Sequence, residues 1–362
     1  MIDEKLLKNE ERAIFRLRSL YERYGYRPFR VSRFEEYDLY VENKEFLVSD
    51  RVITFNERDG RLLALKPDIT LSIIKNAPDR AGTKRKVYYN ENVYRPQGAE
   101  GQFKEIMQTG LECIGDLDVT DTFEAVLLAG RSLQGICDSF VLDISHMGIL
   151  SGVIAECGAD EGFKREAMAL LSGKSAHGIA ELCERYGVDA AVSEKLSILA
   201  GLSDRPEAAL TVLRRIATTE HERAALSELE TLCELLSATD VYDSVRIDFS
   251  VVNNMNYYDG VVFRGFLEGL SEGVLAGGEY GGLLRKMGRS ASAVGFAIYL
   301  DLLEELETDV PEYDVDAVIL YGADSAPSAV AEKKEELTAR GLSVTALRSI
   351  PAELRYREKY EV

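Results

Sequence analysis

The chain has 362 residues, 46% of them hydrophobic, and its 62 acidic against 43 basic residues give a net charge of −19. This length is enough for two or three domains with a sizeable buried core. No apolar run is long enough to cross a membrane, and the charged start (MIDEKLLKNEERAIF) does not resemble a secretion signal, so we expect a soluble cytoplasmic protein without membrane contact.

Cysteine and histidine spacing argues against a metal site. The five cysteines are scattered and never form a CxxC pair, and the three histidines stand apart from one another. We therefore expect reduced thiols, no metal and no other cofactor. The acidic balance is mild evidence against tRNA as a partner, because a phosphate backbone requires a basic surface, although solubility alone also explains the charge.

The first part of the chain mixes helix and strand patterns. Apolar residues at helical spacing predict a helix over residues 4–25. Strand-like runs follow at 46–48, 52–55 and 61–65, and the last two flank a turn signal (NERDG) that predicts a hairpin. The next predicted elements are a helix over 70–76, strands over 86–94 and 103–114 around a glycine-rich loop, a helix over 121–137 and a strand over 140–144.

The later part of the chain begins with a change in composition and residue spacing. From about residue 147 to 239, strand patterns disappear and Leu, Ala, Glu and Arg recur at helical spacing, which predicts a helical insertion. The elements predicted after it are strands over 245–251, 261–266 and 274–276, a helix over 293–306, and a tail with a strand over 317–321, a helix over 328–340 and a strand over 342–347.

This order indicates an α+β core with helices on one side of a mostly antiparallel sheet. We place the core over residues 1–310 and a short C-terminal βαβ remnant over residues 311–362, with Pro311 at the boundary. The residues after Pro311 suffice for one βαβ unit.

Two motifs in the first half carry polar residues suited to a ligand. In KPDIT, Asp68 and Thr70 fall where a strand ends and a helix begins, and the carboxylate there either holds a ligand's ammonium group or caps the helix. Farther along, Gln108 and Glu112 are four residues apart, so on a strand they share one face. They form either an acceptor pair for a polar group such as imidazole or a polar face turned to solvent.

Three motifs in the second half read most simply as structural. Tyr257 and Tyr258, followed by Asp-Gly and an apolar run, are typical of a hairpin turn. The motif AVGFAIYL is typical of a helix start in a core. The motif GGEYGGL requires close backbone approach or positive φ, or else forms a flexible turn. Its glycines are Gly277, Gly278, Gly281 and Gly282.

Taken in order, KPDIT, RPQGAEGQFKEIMQTGLECIG, NYYDGVVF, GGEYGGL and AVGFAIYL closely resemble histidyl-tRNA synthetases and their non-catalytic relatives, the regulatory subunits of ATP phosphoribosyltransferase. The resemblance covers roughly residues 5–306. It implies a class II aminoacyl-tRNA synthetase-like fold, in which an antiparallel sheet of six strands is flanked by helices, and usually a dimer.

The resemblance also implies a histidine pocket. Asp68 would face the α-ammonium group, and Glu112 and Tyr258 would face the imidazole. The four glycines would shape the pocket wall. The residues placed where a synthetase holds histidine are Asp68, Thr70, Gln108, Glu112, Tyr257 and Tyr258.

Departures from the synthetase pattern separate the two families. Synthetases of this class hold ATP phosphates with arginines, and neutral residues cannot replace that electrostatic contribution. Here Asn253 and Leu302 occupy two positions where the synthetase pattern has arginine, and Tyr299 occupies that of a glycine. No Arg-x-Glu pair aligns within residues 90–94. Ser32 replaces a proline of the dimer motif, so the resemblance does not define the dimer interface.

The resemblance with these departures implies a regulatory subunit without catalytic residues. It would act with a short-form catalytic subunit in the first step of L-histidine biosynthesis, as a homodimer within a hetero-oligomer, and sense histidine. The short tail agrees, since it is too small for a complete tRNA-reading domain. Two alternatives stay open: a divergent amino-acid adenylating enzyme, and an amino-acid-binding module coupled to another partner.

Overall fold

The computed structural model describes residues 7–47, 49, 51–77, 82–97, 101–251, 257–306 and 312–362. The chain divides into two compact units, one ending at Leu306 and one beginning at Glu307. The predicted boundary at Pro311 and the departure at Asn253 lie outside the described residues. No helix in the described ranges is both long and apolar enough to span a bilayer.

The first unit begins with α1 Asn9–Arg23, β1 Arg27–Pro28, β2 Phe34–Glu36, α2 Tyr37–Glu42, β3 Thr54–Asn56, β4 Leu62–Leu65, α3 Thr70–Lys75, β5 Lys84–Gln97, β6 Gln102–Gly115, α4 Val119–Gln134 and β7 Phe140–His146. It continues with α5 Met147–Glu156, α6 Glu161–Ser172, α7 Ala176–Tyr186, α8 Ala190–Gly201, β8 Ser203–Asp204, α9 Pro206–Ile216, α10 Glu220–Ser237, β9 Val245–Asp248, β10 Val261–Leu267, β11 Leu275–Glu279, α11 Gly281–Lys286 and β12 Ser292–Tyr299.

A nine-stranded mixed sheet forms the centre of this unit. Its middle strands follow the order β5-β6-β12-β11-β10-β7, and every neighbouring pair among them is antiparallel. β1 joins one edge in parallel, and β9 joins the other edge parallel to β7, followed by β8. The class II synthetase-like fold is thus confirmed, with three further strands that make the sheet mixed. The predicted hairpin is also present as β3 and β4, which form a small separate sheet with β2.

Helices cover both faces of the large sheet, so the expectation of helices on one side is wrong. On one face, α1 buries a stripe of Ala13, Leu17 and Tyr21, spaced four residues apart, in the main apolar core. On the other face, the short helices α3 and α11 pack in a second core with Ile73 and Leu284. All but one of the residues of α3 are buried, so its sequence has no polar face that would show which side of the helix packs on the sheet.

The predicted helical insertion is confirmed as helices α5 to α10, interrupted only by the two-residue strand β8. Each of three helices in it begins with a side chain that accepts a backbone N–H of its own first turn, which satisfies donors that a helix leaves unpaired. These capping residues are Asp160, Ser175 and Asp189.

Three local predictions are wrong. Lys44–Phe46 is a short 3-10 helix rather than the start of a strand. Residues 257–260 do not close a hairpin, because β10 pairs with β11 and β7 and not with the preceding β9. Residues 293–306 are strand β12 and a 3-10 helix at Leu300–Glu305 instead of one helix. A strand buried on both faces is a continuous apolar run, which periodicity does not distinguish from a buried helix.

The second unit contains the predicted βαβ unit and one further strand. Its elements are β13 Val315–Leu320, α12 Pro327–Ala339, β14 Val344–Leu347 and β15 Tyr356–Glu361. The strands form a parallel sheet in the order β14-β13-β15. Helix α12 packs Leu337 against Ala317 and Ile319 of β13. β15 is absent from the sequence prediction because its residues, YREKYE, are mostly charged.

Candidate functional site

A cavity of about 370 Å³ lies over the central strands, on the face that α3 and α11 cover. This volume is in the range of small-molecule sites. Strand pairing brings a patch of small residues together on this face, so the sheet surface is recessed between larger side chains. The patch consists of Gly110, Ala276, Gly278, Gly295 and Ala297.

Glu112 projects from β6 into the cavity and is only 2% exposed. Thr70 Oγ1 donates a hydrogen bond to its Oε1 at 2.8 Å, and the Tyr280 hydroxyl donates to its Oε2. Burial raises the pKa of Glu112 to about 8, although the two hydroxyl donors oppose the rise and the Asp68 carboxylate adds to it. Near neutral pH this group can therefore donate or accept a hydrogen bond. Gly295 makes room for it, since a Cβ there would lie 1.7 Å from Oε2.

Asp68 caps α3 and also lines the cavity. Its Oδ1 accepts the backbone N–H of Leu71 at 2.9 Å. The carboxylate therefore caps the helix, which is one of the two roles predicted for it from the KPDIT motif. Its Oδ2 lies 3.6 Å from the guanidinium group of Arg95, whose Nε donates to the Pro67 carbonyl. Burial raises the pKa of Asp68, and the charge of Arg95 works against that rise.

Gln108 lies on β6 at the opposite end of the small-residue patch from Glu112. It is 2% exposed, and its Nε2 has no acceptor among the described residues. Tyr299 is its register partner on β12 and lines the same cavity. A buried donor without an acceptor costs about 1–3 kcal/mol, so this end of the cavity favours a ligand that supplies an acceptor.

Aromatic rings complete the lining. The rings of Tyr257 and Tyr258 meet edge to face with centroids 4.7 Å apart, and Tyr280 lies 5.7 Å from Tyr257. Burial raises the pKa of both Tyr257 and Tyr258, so their hydroxyls stay protonated and can donate. Gly278 supports this wall from behind, since a Cβ there would lie 2.8 Å from the Tyr258 ring.

The structure brings the six predicted histidine-binding residues to this one cavity; their binding role stays a prediction. Of the four predicted wall glycines, Gly277 lines the cavity, whereas Gly278 lies behind Tyr258. Gly281 and Gly282 begin α11 beside Asp259, outside the lining. The six residues are Asp68, Thr70, Gln108, Glu112, Tyr257 and Tyr258.

Sequence reasoning did not assign four further lining residues, namely Tyr89, Arg95, Arg264 and Tyr280. Tyr280 stands inside the glycine motif, but its contact with Glu112 joins residues 168 positions apart. Arg264 shares a strand face with Val262 by alternation, but that this face lines the cavity is visible only once the pairing of β10 with β11 is known.

Two of the departures from the synthetase pattern are visible in the structure. Leu302 lies in the 3-10 helix after β12 and packs, partly buried, against the main apolar core. In β5, Asn92 and Tyr94 donate to the Glu105 carboxylate at 2.5 Å and 3.0 Å. Within the described ranges, no cluster of three or more His, Cys, Asp or Glu side chains is arranged to hold a metal ion.

A family model described as histidyl-tRNA synthetase matches residues 2–303 of the chain. The chain is 32% identical over 279 residues to the ATP phosphoribosyltransferase regulatory subunit of Desulfitobacterium hafniense, covering 74% of the chain and 70% of that protein. It is 29% identical over 323 residues to the regulatory subunit of Halothermothrix orenii, covering 85% and 76%.

Solved structures show the same fold. An ATP phosphoribosyltransferase regulatory subunit/histidyl-tRNA synthetase from Bacillus halodurans superposes with a TM-score of 0.76 at 23% identity, covering 100% of the chain and 96% of that structure. An ATP phosphoribosyl transferase complex from Thermotoga maritima gives a TM-score of 0.61 at 19% identity, covering 80% and 97%. At these identities the likeness shows the fold alone.

Proposed function

Because this chain belongs to the ATP phosphoribosyltransferase regulatory subunits, a branch of the histidyl-tRNA synthetase family, we propose that it is the non-catalytic regulatory subunit of an ATP phosphoribosyltransferase. It acts in the cytoplasm with a short-form catalytic subunit in the first step of L-histidine biosynthesis. The observation that carries this proposal is the similarity to the Desulfitobacterium hafniense regulatory subunit across most of both chains. The name of that relative, a regulatory subunit of ATP phosphoribosyltransferase, supports a catalytic partner.

The charge of the cavity supports a role without catalysis. Binding and activating ATP requires several cations on its phosphates. Among the described lining residues the arginines are Arg95 and Arg264, and Arg95 is already engaged by Asp68 and a backbone carbonyl. At Leu302 an apolar side chain packs on the core. We infer that the cavity holds an amino acid but does not adenylate it.

The amino acid that fits best is histidine. Glu112 pairs with a ring N–H of the imidazole, and Tyr258 contributes a second ring contact. Asp68 receives the α-ammonium group, with Thr70, Gln108 and Tyr257 completing the site. The contact of Asp68 with the ammonium group is charge-assisted and therefore stronger than a neutral one. Histidine binding in this cavity is how the subunit senses the end product.

In this proposal the chain is a homodimer within a hetero-oligomer and does not bind tRNA. The net charge of −19 supports the absence of tRNA, because it opposes an extended polyanion. Regulation then passes from the histidine cavity to the catalytic subunit across the subunit interface.

Complex formation is the direct test. The purified chain is mixed with the short-form catalytic subunit encoded in the same genome and analysed on a sizing column, and phosphoribosyl-ATP formation is followed by absorbance. We expect co-elution and a clear increase in rate over the catalytic subunit alone. Two separate peaks with an unchanged rate would contradict the proposal.

The alternative of a divergent adenylating enzyme is favoured by one observation, the six predicted histidine ligands around one cavity. Histidine-dependent ATP–pyrophosphate exchange separates the two functions. We expect no exchange above a protein-free blank, with an active histidyl-tRNA synthetase as positive control. Exchange at an ordinary synthetase rate would reverse the assignment.

A further inference from the structure

We propose that Arg264 and Gln108 together hold the carboxylate of the amino-acid ligand, so that the cavity selects a whole amino acid rather than an imidazole alone. This assignment rests on the proposed role of the cavity as a histidine site. It adds Arg264, which neither the motifs nor the resemblance singled out, as a specificity-determining residue.

Arg264 is directed toward the end of the cavity where Gln108 lies. Its register row across the sheet runs through Ala276, Ala297 and Gly110, so only small side chains separate it from β6. Its guanidinium carbon lies 5.3 Å from the ring centroid of Phe266, farther along the same strand. The side chain therefore leans away from the Glu112 row and toward the end of the cavity where Gln108 lies.

Packing holds the stem of Arg264 in this direction. A Cβ added at Gly273 would lie 2.3 Å from Nε and 3.0 Å from Cγ of Arg264, so the side chain runs across a glycine backbone that leaves room for it. A positioned guanidinium group loses less conformational entropy when it binds a ligand than a mobile one.

The positive charge of Arg264 is only partly balanced by its surroundings. Arg264 has no carboxylate of the described residues within ion-pair distance of 4.0 Å. Asp143 on β7 is its register partner, but burial and the neighbouring Asp248 raise the pKa of Asp143 to about 7. Asp143 is therefore only partly ionised near neutral pH and offsets the positive charge incompletely. The other cavity arginine, Arg95, is already committed to Asp68.

Gln108 offers an unpaired donor at the same end of the cavity. Its buried Nε2 has no acceptor among the described residues, and a ligand carboxylate supplies acceptors for both this amide and a guanidinium group. The acceptor groups Asp68 and Glu112 line the same cavity. The cavity thus combines two carboxyl groups with an unpaired amide donor and an arginine, which matches a zwitterion. A phosphate group shares the acceptor chemistry of a carboxylate and is the other source to test.

The experiment compares ligands by calorimetry on the full chain at pH 7.5. The ligands are L-histidine, histamine, which lacks only the carboxylate, and inorganic phosphate. The variants are Arg264→Gln and, as a matched control, Arg246→Gln. Arg246 lies on β9, two strands away from β10, outside the cavity lining, and bonds to backbone carbonyls. We expect Arg264→Gln to weaken histidine binding about ten- to a hundredfold while histamine binding stays the same. Arg246→Gln should change neither.

The outcomes separate this inference from the histidine site itself. If wild type binds histidine and histamine equally, or if Arg264→Gln weakens both equally, Arg264 is structural and the inference is overturned, while the histidine site stands. If wild type binds phosphate and not histidine, and Arg264→Gln abolishes this, the carboxylate assignment is overturned in favour of phosphate. If wild type binds none of the three ligands, both this inference and histidine sensing fail, and complex formation still tests the regulatory role.

Discussion

The chain buries polar side chains in two contrasting places. In the helical insertion, Lys195 is 8% exposed, donates to Glu156 at 2.6 Å and to Thr218, and lies 3.4 Å from Glu222. Glu222 in turn accepts the backbone N–H groups of Thr218 at 2.7 Å and of residue 219 at 3.1 Å. In the cavity over the sheet, by contrast, the Gln108 amide has no acceptor and small residues leave space.

This contrast shows that buried polarity alone does not indicate a binding site. In the Lys195 cluster the ammonium group and one Glu222 oxygen are paired, although Glu222 Oε1 has no partner among the described residues. The cluster caps the start of α10, so it stabilises the insertion. The cavity combines unpaired donors, a carboxylate with a raised pKa and a volume that a ligand can fill, and such groups are typical of functional sites. The two regions should therefore respond differently to substitution.

The largest effect should come from Lys195→Met. Removing one partner of a buried ion pair leaves uncompensated charge and typically costs 3–5 kcal/mol, so we expect the free energy of unfolding to fall by about that amount. Urea denaturation measures it. Lys164→Met, which breaks the exposed pair with Glu161, is the control and should cost less than about 1 kcal/mol. Equal losses for the two variants would remove the distinction between the regions.

The next largest effect should come from Glu112→Ala, measured as histidine affinity. The imidazole loses its acceptor, so we expect affinity to fall by about a hundredfold or more, while alanine, the control ligand, binds to neither protein. Glu105→Ala on the exposed part of the same strand should leave affinity unchanged. If wild type and Glu112→Ala bind histidine equally, the imidazole does not contact this carboxylate.

The smallest effect is the pH dependence that Glu112 confers on stability. Its pKa is raised to about 8 in the folded chain, so between the ordinary carboxyl range and pH 8 the folded state keeps a proton that the unfolded state has lost. The stability that this proton contributes is therefore complete at low pH, declines as pH rises from the ordinary carboxyl range to about 8, and is lost above it. Between pH 6.5 and 7.5, wild type should lose about 1 kcal/mol more than Glu112→Gln. Urea midpoints at both pH values test this; parallel changes would show that Glu112 does not titrate there.

The sequence alone was informative where structure is local. The β5–β6 pair, the helical insertion and the βαβ tail follow from periodicity and turn signals within short windows. β12 escaped prediction because both its faces are buried, and β15 because it is mostly charged. Among the cavity residues, Asp68 and Glu112 were predicted from sequence motifs. Tyr280 and Arg264 were not, because contacts between distant segments of the chain bring them to the cavity.

The last strand of the chain has a consequence for solubility. β15 lies at one edge of the C-terminal sheet, and its exposed side chains alternate as Arg357, Lys359 and Glu361. An open edge offers unpaired backbone groups to any strand that approaches, and charged side chains discourage that pairing. At this edge, therefore, pairing with a strand of another molecule is discouraged, and so is the aggregation that follows when sheets extend from one molecule to the next.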